Sequence, residues 1–192
     1  MGRALAVVAR EQASALLRFV LVAVAVVMCV GTGNALAGTP GPRTPVWVTD
    51  SAHVLTPADR RHLSRMLSEY HRQTHHQIAI LTIRTLGDET IQAYSLRSAN
   101  QMGLGYKGLN NGILVTLAVK EGLARIELGI GMSRYISDAD SKKILETQML
   151  PAFSKRDFAG GFERGTRKLM AMGRAFVVKP QDLPADAGSA AH

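Results

Sequence analysis

The sequence predicts an α/β fold: a small mixed sheet that ends in a β-hairpin, with helices covering it. Three observations carry that expectation. Residues 77–83 (QIAILTI) and 113–119 (ILVTLAV) are branched, almost wholly apolar runs, the pattern of central strands buried on both faces. Stretches with helical spacing lie before and between them, so the first three strands run parallel through two crossovers. Glu121-Gly122 then turns the chain into residues 123–130 (LARIELGI), an antiparallel fourth strand.

The elements follow in order along the chain. Residues 1–18 hold Arg3, Arg10 and Arg18 against one acid, Glu11, and residues 19–30 (FVLVAVAVVMCV) are an unbroken apolar run. Ala35-Leu36-Ala37 places small residues where a signal peptidase needs them. Residues 1–37 therefore read as a secretory signal peptide, because the apolar run falls short of the ~20 residues of a bilayer span. The alternative is an uncleaved anchor over residues 16–30. Either way the working part faces away from the cytoplasm, in the periplasm or another extracytoplasmic space, which excludes nucleotide cofactors and nucleic acid as everyday partners.

Residues 38–44 (GTPGPRT) form a Pro/Gly-rich flexible leader, 38–45 with the next proline. A domain over residues 46–178 follows. Val46-Trp47-Val48 is a short strand. Thr56 caps the first helix, with Pro57 at its first position and Leu63, Met66, Leu67 and Tyr70 as its core stripe. Asp88 is expected to cap the second helix, with Ile91, Tyr94, Ser95 and Met102 along one stripe. Residues 103–112 (GLGYKGLNNG) are a glycine-dense loop. Ser137 opens a third helix with a capping-box pattern, which Pro151 ends or restarts. Asp157 opens the last, with Phe158, Phe162, Leu169 and Phe176 on one face and Arg164, Arg167, Lys168 and Arg174 opposite. Residues 179–192 read as a disordered tail.

Composition narrows the chemistry. The only cysteine, Cys29, leaves with the signal, so the mature domain has no thiol, disulfide or cysteine metal site. The chain carries +8, of which the first 37 residues hold +2, leaving +6 on residues 38–192. An exported basic domain meets anionic lipid head groups and cell-wall phosphates, although this charge also serves solubility alone.

Gly103-Leu104-Gly105-Tyr106-Lys107-Gly108 spells the dinucleotide fingerprint, but it follows a helix and precedes a strand. The fingerprint needs the reverse order, so that a helix N-terminus meets the pyrophosphate. His71 and His75 have a legal two-ligand zinc spacing, yet with no third ligand they read, with His76, as a solvated helix end. The cationic side of the last helix could dock on anionic membrane; as the wet side of an amphipathic helix it needs no partner.

One constellation stands out. The hairpin sets Asn110-Asn111-Gly112 beside Gly129-Ile130-Gly131, and the third helix starts with Asp138 and Asp140 shortly after. Amide oxygens, carboxylates and a helix N-terminus are thus expected at one end of the sheet. Oxygen-rich sites suit calcium or magnesium, and a helix N-terminus suits phosphate. The same residues also serve as turn formers, strand ends and helix caps.

These residues also carry a family resemblance. Residues 48–56 (VTDSAHVLT), 77–80 (QIAI), 110–114 (NNGIL), 125–131 (RIELGIG), Ser137-Asp138-Ala139, 150–153 (LPAF), Asp157-Phe158 and Gly161 occur in an order that resembles the TPM domain. The resemblance implies a Rossmann-like α/β/α sandwich with helices on both faces, exported or lumenal and often tethered to a membrane. Members include a plant thylakoid-lumen protein described as an acid phosphatase, a photosystem II repair factor and an animal receptor modulator, and some bacterial members bind calcium. Asp50, Asn111, Gly112, Gly129, Gly131 and Asp138 match the family pattern. Bacterial relatives often have an aspartate in the asparagine pair, so Asn110-Asn111 lowers the local negative charge here.

Two functional expectations follow. In the first, a weak phosphate- or metal-directed activity works at Asp138 as ligand or acid/base. Asn110 and Asn111 orient the substrate or metal, and Gly112, Gly129 and Gly131 admit a ligand to the backbone. Asp138, Asp140 and, at the far sheet edge, Asp50 are then the carboxylates for calcium or magnesium. Without a histidine or cysteine nucleophile, metal-activated water or an aspartate would attack. In the second, the domain is a non-catalytic accessory module that assists a membrane protein complex.

Overall fold

The computed structural model describes residues 46–184. The expected signal peptide and leader, and residues 185–192 of the expected tail, lie outside the described residues. A four-stranded sheet of order β1-β2-β3-β4 forms the middle layer. Its strands are β1 (Val48–Asp50), β2 (Gln77–Ile83), β3 (Gly112–Ala118) and β4 (Leu123–Leu128). β1, β2 and β3 are parallel, with Val48 beside Ile80 and Ile80 beside Val115; β4 is antiparallel to β3, with Ile126 beside Val115. The mixed sheet ending in a hairpin is as the sequence predicts. Every residue of β2 and β3 is buried, whereas β4, at the edge, is half exposed.

Helix α1 (Pro57–Thr74) begins at Thr56, whose hydroxyl accepts from the Asp59 N–H at 3.1 Å while the Asp59 carboxylate accepts from the Thr56 N–H at 3.1 Å. Its stripe of Leu63, Leu67 and Tyr70 packs on Ile78, Ile80, Ile113, Val115 and Ile126, which alternate along their strands toward one face. The opposite face shows Ala79, Leu81, Leu114 and Ala118 to helix α2 (Ile91–Met102). Thr90, not Asp88, caps α2: its hydroxyl accepts from the Ala93 N–H at 3.2 Å, so the helix starts one turn fragment later than predicted.

The first face is completed by α3 (Asp138–Ile144), a π-helical turn (Leu145–Met149), α4 (Leu150–Phe153) and α5 (Phe158–Gly173). Pro151 stands in the first turn of α4, so the helix restarts there, one of the two outcomes its sequence allowed. The chain widens into the π-turn just before the proline, whose missing N–H and bulky ring would disrupt a regular α-turn there. Asp157 caps α5, accepting from the Gly160 N–H at 3.0 Å. The expected tail opens with a 3-10 turn, Pro180–Asp182. Both core clusters of the described residues, with the side chains packed against them, lie between Trp47 and Phe176, and so within residues 38–192. Among the described residues, no helix is long and apolar enough to cross a membrane.

Candidate functional site

The glycine-rich loop is anchored by Asn111, which is fully buried. Its carbonyl oxygen accepts from the Tyr106 N–H at 2.9 Å, and its amide donates to the His75 carbonyl at 2.9 Å and faces His76 Nδ1 at 3.2 Å. Three chain segments thereby meet at one side chain: the loop, the end of α1 and the start of β2. His76 is equally buried, and its Nε2 lies 2.7 Å from the Phe176 carbonyl. With an amide donor on Nδ1 and a carbonyl on Nε2, the neutral ring carries its proton on Nε2. His71 donates from Nδ1 to the His76 carbonyl at 3.1 Å and faces the Tyr106 hydroxyl with Nε2 at 3.3 Å. Burial depresses the pKa of both rings, against the raising effect of their carbonyl partners.

This overturns the reading of these histidines as a solvated helix end. Two signals in the sequence point to the outcome. His71 extends the Leu63–Leu67 spacing by one more turn, and His76 precedes Ile78 and Ile80 at strand spacing, on the core face.

The glycines of the predicted site have a backbone role. A Cβ on Gly105, at φ +90°, would stand 2.6 Å from the Gly112 nitrogen, and one on Gly112 would stand 2.6 Å from the Leu104 carbonyl. Side chains at Gly129 and Gly131 would overlap the Asn110 and Leu109 carbonyls. The Gly129 N–H donates to the Gly112 carbonyl at 2.8 Å and the Gly131 N–H to the Asn110 carbonyl at 3.1 Å. What these glycines admit to the backbone is the loop itself. Asn110 and Gly112 do come beside Gly129, as predicted, in a groove of about 210 Å³ between α2 and β4 that Leu96, Glu127 and Ile130 also line.

The carboxylates do not converge with them. Asp50 is buried at the opposite end of the sheet, where it accepts from the Val54 N–H at 3.1 Å, the Leu55 N–H at 3.0 Å and the Thr82 hydroxyl at 2.5 Å, with Arg60 at 3.6 Å. It clips β1 and β2 to the approach of α1. Asp140 accepts from the Ser137 hydroxyl at 2.6 Å and N–H at 3.0 Å, and these bonds hold its carboxyl below the usual range. Asp138 is exposed and lines a separate depression of about 290 Å³ with Gln92, Arg125, Ser141 and Lys142, which shares no residue with the first groove. Among the described residues, no three His, Cys, Asp or Glu side chains are grouped to hold a metal ion. The expected calcium or magnesium ligands Asp50, Asp138 and Asp140 therefore do not form one site.

Comparison with protein families matches residues 48–172 to the TPM domain. No curated protein matches the chain. Three solved structures are similar. The N-terminal domain of a protein from P. gingivalis is 28% identical, with TM-score 0.60, over 67% of this chain and 82% of that one. The BA42 protein from the psychrophilic bacterium Bizionia argentinensis is 18% identical, with TM-score 0.57, over 68% and 90%. The N-terminal domain of the cg2496 protein from Corynebacterium glutamicum is 14% identical, with TM-score 0.53, over 72% and 86%. The last two show the shared fold.

Proposed function

The chain belongs to the TPM domain family, and on that premise we propose that it is an exported accessory module that binds a membrane protein complex and assists its assembly, repair or modulation. The observation that carries this reading is where the polar residues of the family pattern go. Asp50 and Asn111 are committed to bonds inside the domain. What stays open at the loop end is apolar: Ile130 is 72% exposed and Leu96 52%, on either side of the groove that holds Asn110 and Glu127. β4 beside them is an edge strand, and an extended segment of a partner can add to such an edge while placing side chains in the groove. The secretory pattern of residues 1–37 supports the export. The test is recovery of a stoichiometric partner from membranes of the producing cell, repeated with Leu96→Asp/Ile130→Asp. Loss of that partner in the variant is expected; no stoichiometric partner, or one indifferent to the substitutions, sinks the reading.

A second reading, weak phosphate-directed hydrolysis at Asp138, is favoured by a separate observation. The Asp138 carboxylate makes no hydrogen bond or ion pair among the described residues. It shares its depression with the cations Arg125 and Lys142 and with the Ser141 hydroxyl, which is buried without a partner. Cations beside an open carboxylate suit a phosphate ester and a water to attack it. Hydrolysis of p-nitrophenyl phosphate by residues 38–192, from acidic to neutral pH and with or without calcium or magnesium, tests it. Turnover lost in Asp138→Asn supports a site there; no turnover, or turnover unchanged, removes it.

A further inference from the structure

We propose that the outer faces of α1 and α5 together form a docking surface for anionic phospholipid membrane. This goes beyond the accessory-module reading and stands whether or not a protein partner is found. The two helices lie side by side: His62 Nε2 on α1 meets the Glu163 carboxylate on α5 at 3.2 Å, and Arg174 donates across to Gln73 at 2.8 Å. On α1 the spacing of Arg61, Arg65 and Arg72 sets all three on the side away from the sheet, and all are exposed. On α5 Arg164, Arg167 and Lys168 are exposed in the same way.

The acids on this face are already matched. Glu69 pairs with Arg72, and Glu163 pairs with Arg167 at 2.8 Å as well as with His62. The Arg167 bond, opposed by partial burial, leads in holding the Glu163 carboxyl below its usual range. The side chains of Arg61, Arg65 and Lys168 make no hydrogen bond or ion pair among the described residues, so the face presents uncompensated positive charge. Charge of that sign and spread suits a bilayer rich in anionic head groups.

Two further observations choose a membrane over a soluble anion. Trp47 lines one depression with Arg65, Arg72 and Arg167, and Val46 beside it is 62% exposed. An indole and an aliphatic side chain next to arginines suit the boundary between head groups and acyl chains. Where residues 16–30 stay in place as an uncleaved anchor, residues 31–45 join them to Val46 and reach at most about 50 Å when extended, so that bilayer lies within reach of this face.

The test uses residues 38–192, which contain both core clusters of the described residues and lack the apolar run. Co-sedimentation is measured with phosphatidylcholine vesicles, with vesicles carrying about a third phosphatidylglycerol, and with a soluble polyphosphate. Binding to the anionic vesicles is expected, weakened at about 0.5 M salt. The variant Arg61→Glu/Arg65→Glu/Lys168→Glu should bind about a hundredfold more weakly or worse, since each cation lost costs roughly fivefold. A control of equal charge change elsewhere, Arg84→Glu/Lys107→Glu/Lys120→Glu, should lose far less. Thermal melting confirms that both variants fold. No binding to anionic vesicles, equal loss in the two variants, or binding to polyphosphate alone would overturn the proposal.

Discussion

The two faces of the sheet teach different lessons. On one, Ile78, Ile80, Ile113, Val115, Leu117 and Ile126 meet α1, α3, α4 and α5, with large side chains such as Phe162, Leu67 and Met149 wholly buried between them. On the other, Ala79, Leu81, Leu114 and Ala118 meet α2 and the loops at its ends. The second layer is thinner; the Ser95 hydroxyl on α2 and the Thr116 hydroxyl on that face of β3 are buried without partners among the described residues, as are the Tyr70 hydroxyl on α1 and the Ser141 hydroxyl on α3. A buried hydroxyl left unpaired costs about 1–3 kcal/mol. The thick face supplies most of the apolar burial and hence the stability. The groove with exposed Leu96 and Ile130 opens on the thin one, where a partner would add to a layer left incomplete.

Substitutions can break this contrast. Phe162→Ala on the thick face should cost about 4 kcal/mol by transfer and cavity terms, against about 2 kcal/mol for Ile91→Ala at the start of α2. Equal losses in urea titrations would show the two layers to be equally stabilising. Asn111→Ala, where the loop meets the thick face, should cost about 2–3 kcal/mol, because it removes the oxygen that accepts from the Tyr106 N–H and the amide that donates to the His75 carbonyl. A cost within experimental error would mean that water replaces the amide.

The histidines of that junction make stability depend on pH. Both pKa values are depressed below the ordinary 6.5, so the folded rings stay neutral while the unfolded chain takes up protons. Stability is therefore complete above about pH 6.5 and falls as the pH drops below it toward the depressed folded values, by up to about 1.4 kcal/mol per pH unit for each ring. Urea midpoints between pH 7.5 and 5 should show the decline, with a smaller slope in His76→Gln. The smallest effect belongs to the thin face: Thr116→Val removes an unpaired hydroxyl at constant volume and should stabilise by up to about 1 kcal/mol in thermal melts. Destabilisation there would reveal a partner for the hydroxyl.

Much of this was legible along the chain. Thr56, Ser137 and Asp157 announce helix starts because a short polar side chain reaches the first-turn amides. The runs at 77–83 and 113–119 announce strands buried on both faces. The site was legible only in part. The hairpin brings Asn110 and Gly112 beside Gly129, as its pairing demands. The carboxylates were misplaced because chain proximity between Gly131 and Asp138 says nothing of where the intervening turn Met132–Arg134 sends α3. His71 and His76 were misread because a polar residue at a core spacing looks like a helix end until its partners are known.

What the sequence determined by itself is the order, type and pairing of the elements, since periodicity, caps and turns act within a few residues and hydrophobic alternation chooses the face. Only the tertiary structure decided which polar residues are committed and which remain open. Asn111, His76 and Asp50 are committed because segments far apart in sequence bring a carbonyl, an amide or a hydroxyl to each of them. Asp138 and Arg65 stay open because no such segment arrives. A hydrogen bond needs its partner within about 3 Å, and that distance is set by how the layers pack rather than by any local pattern of residues.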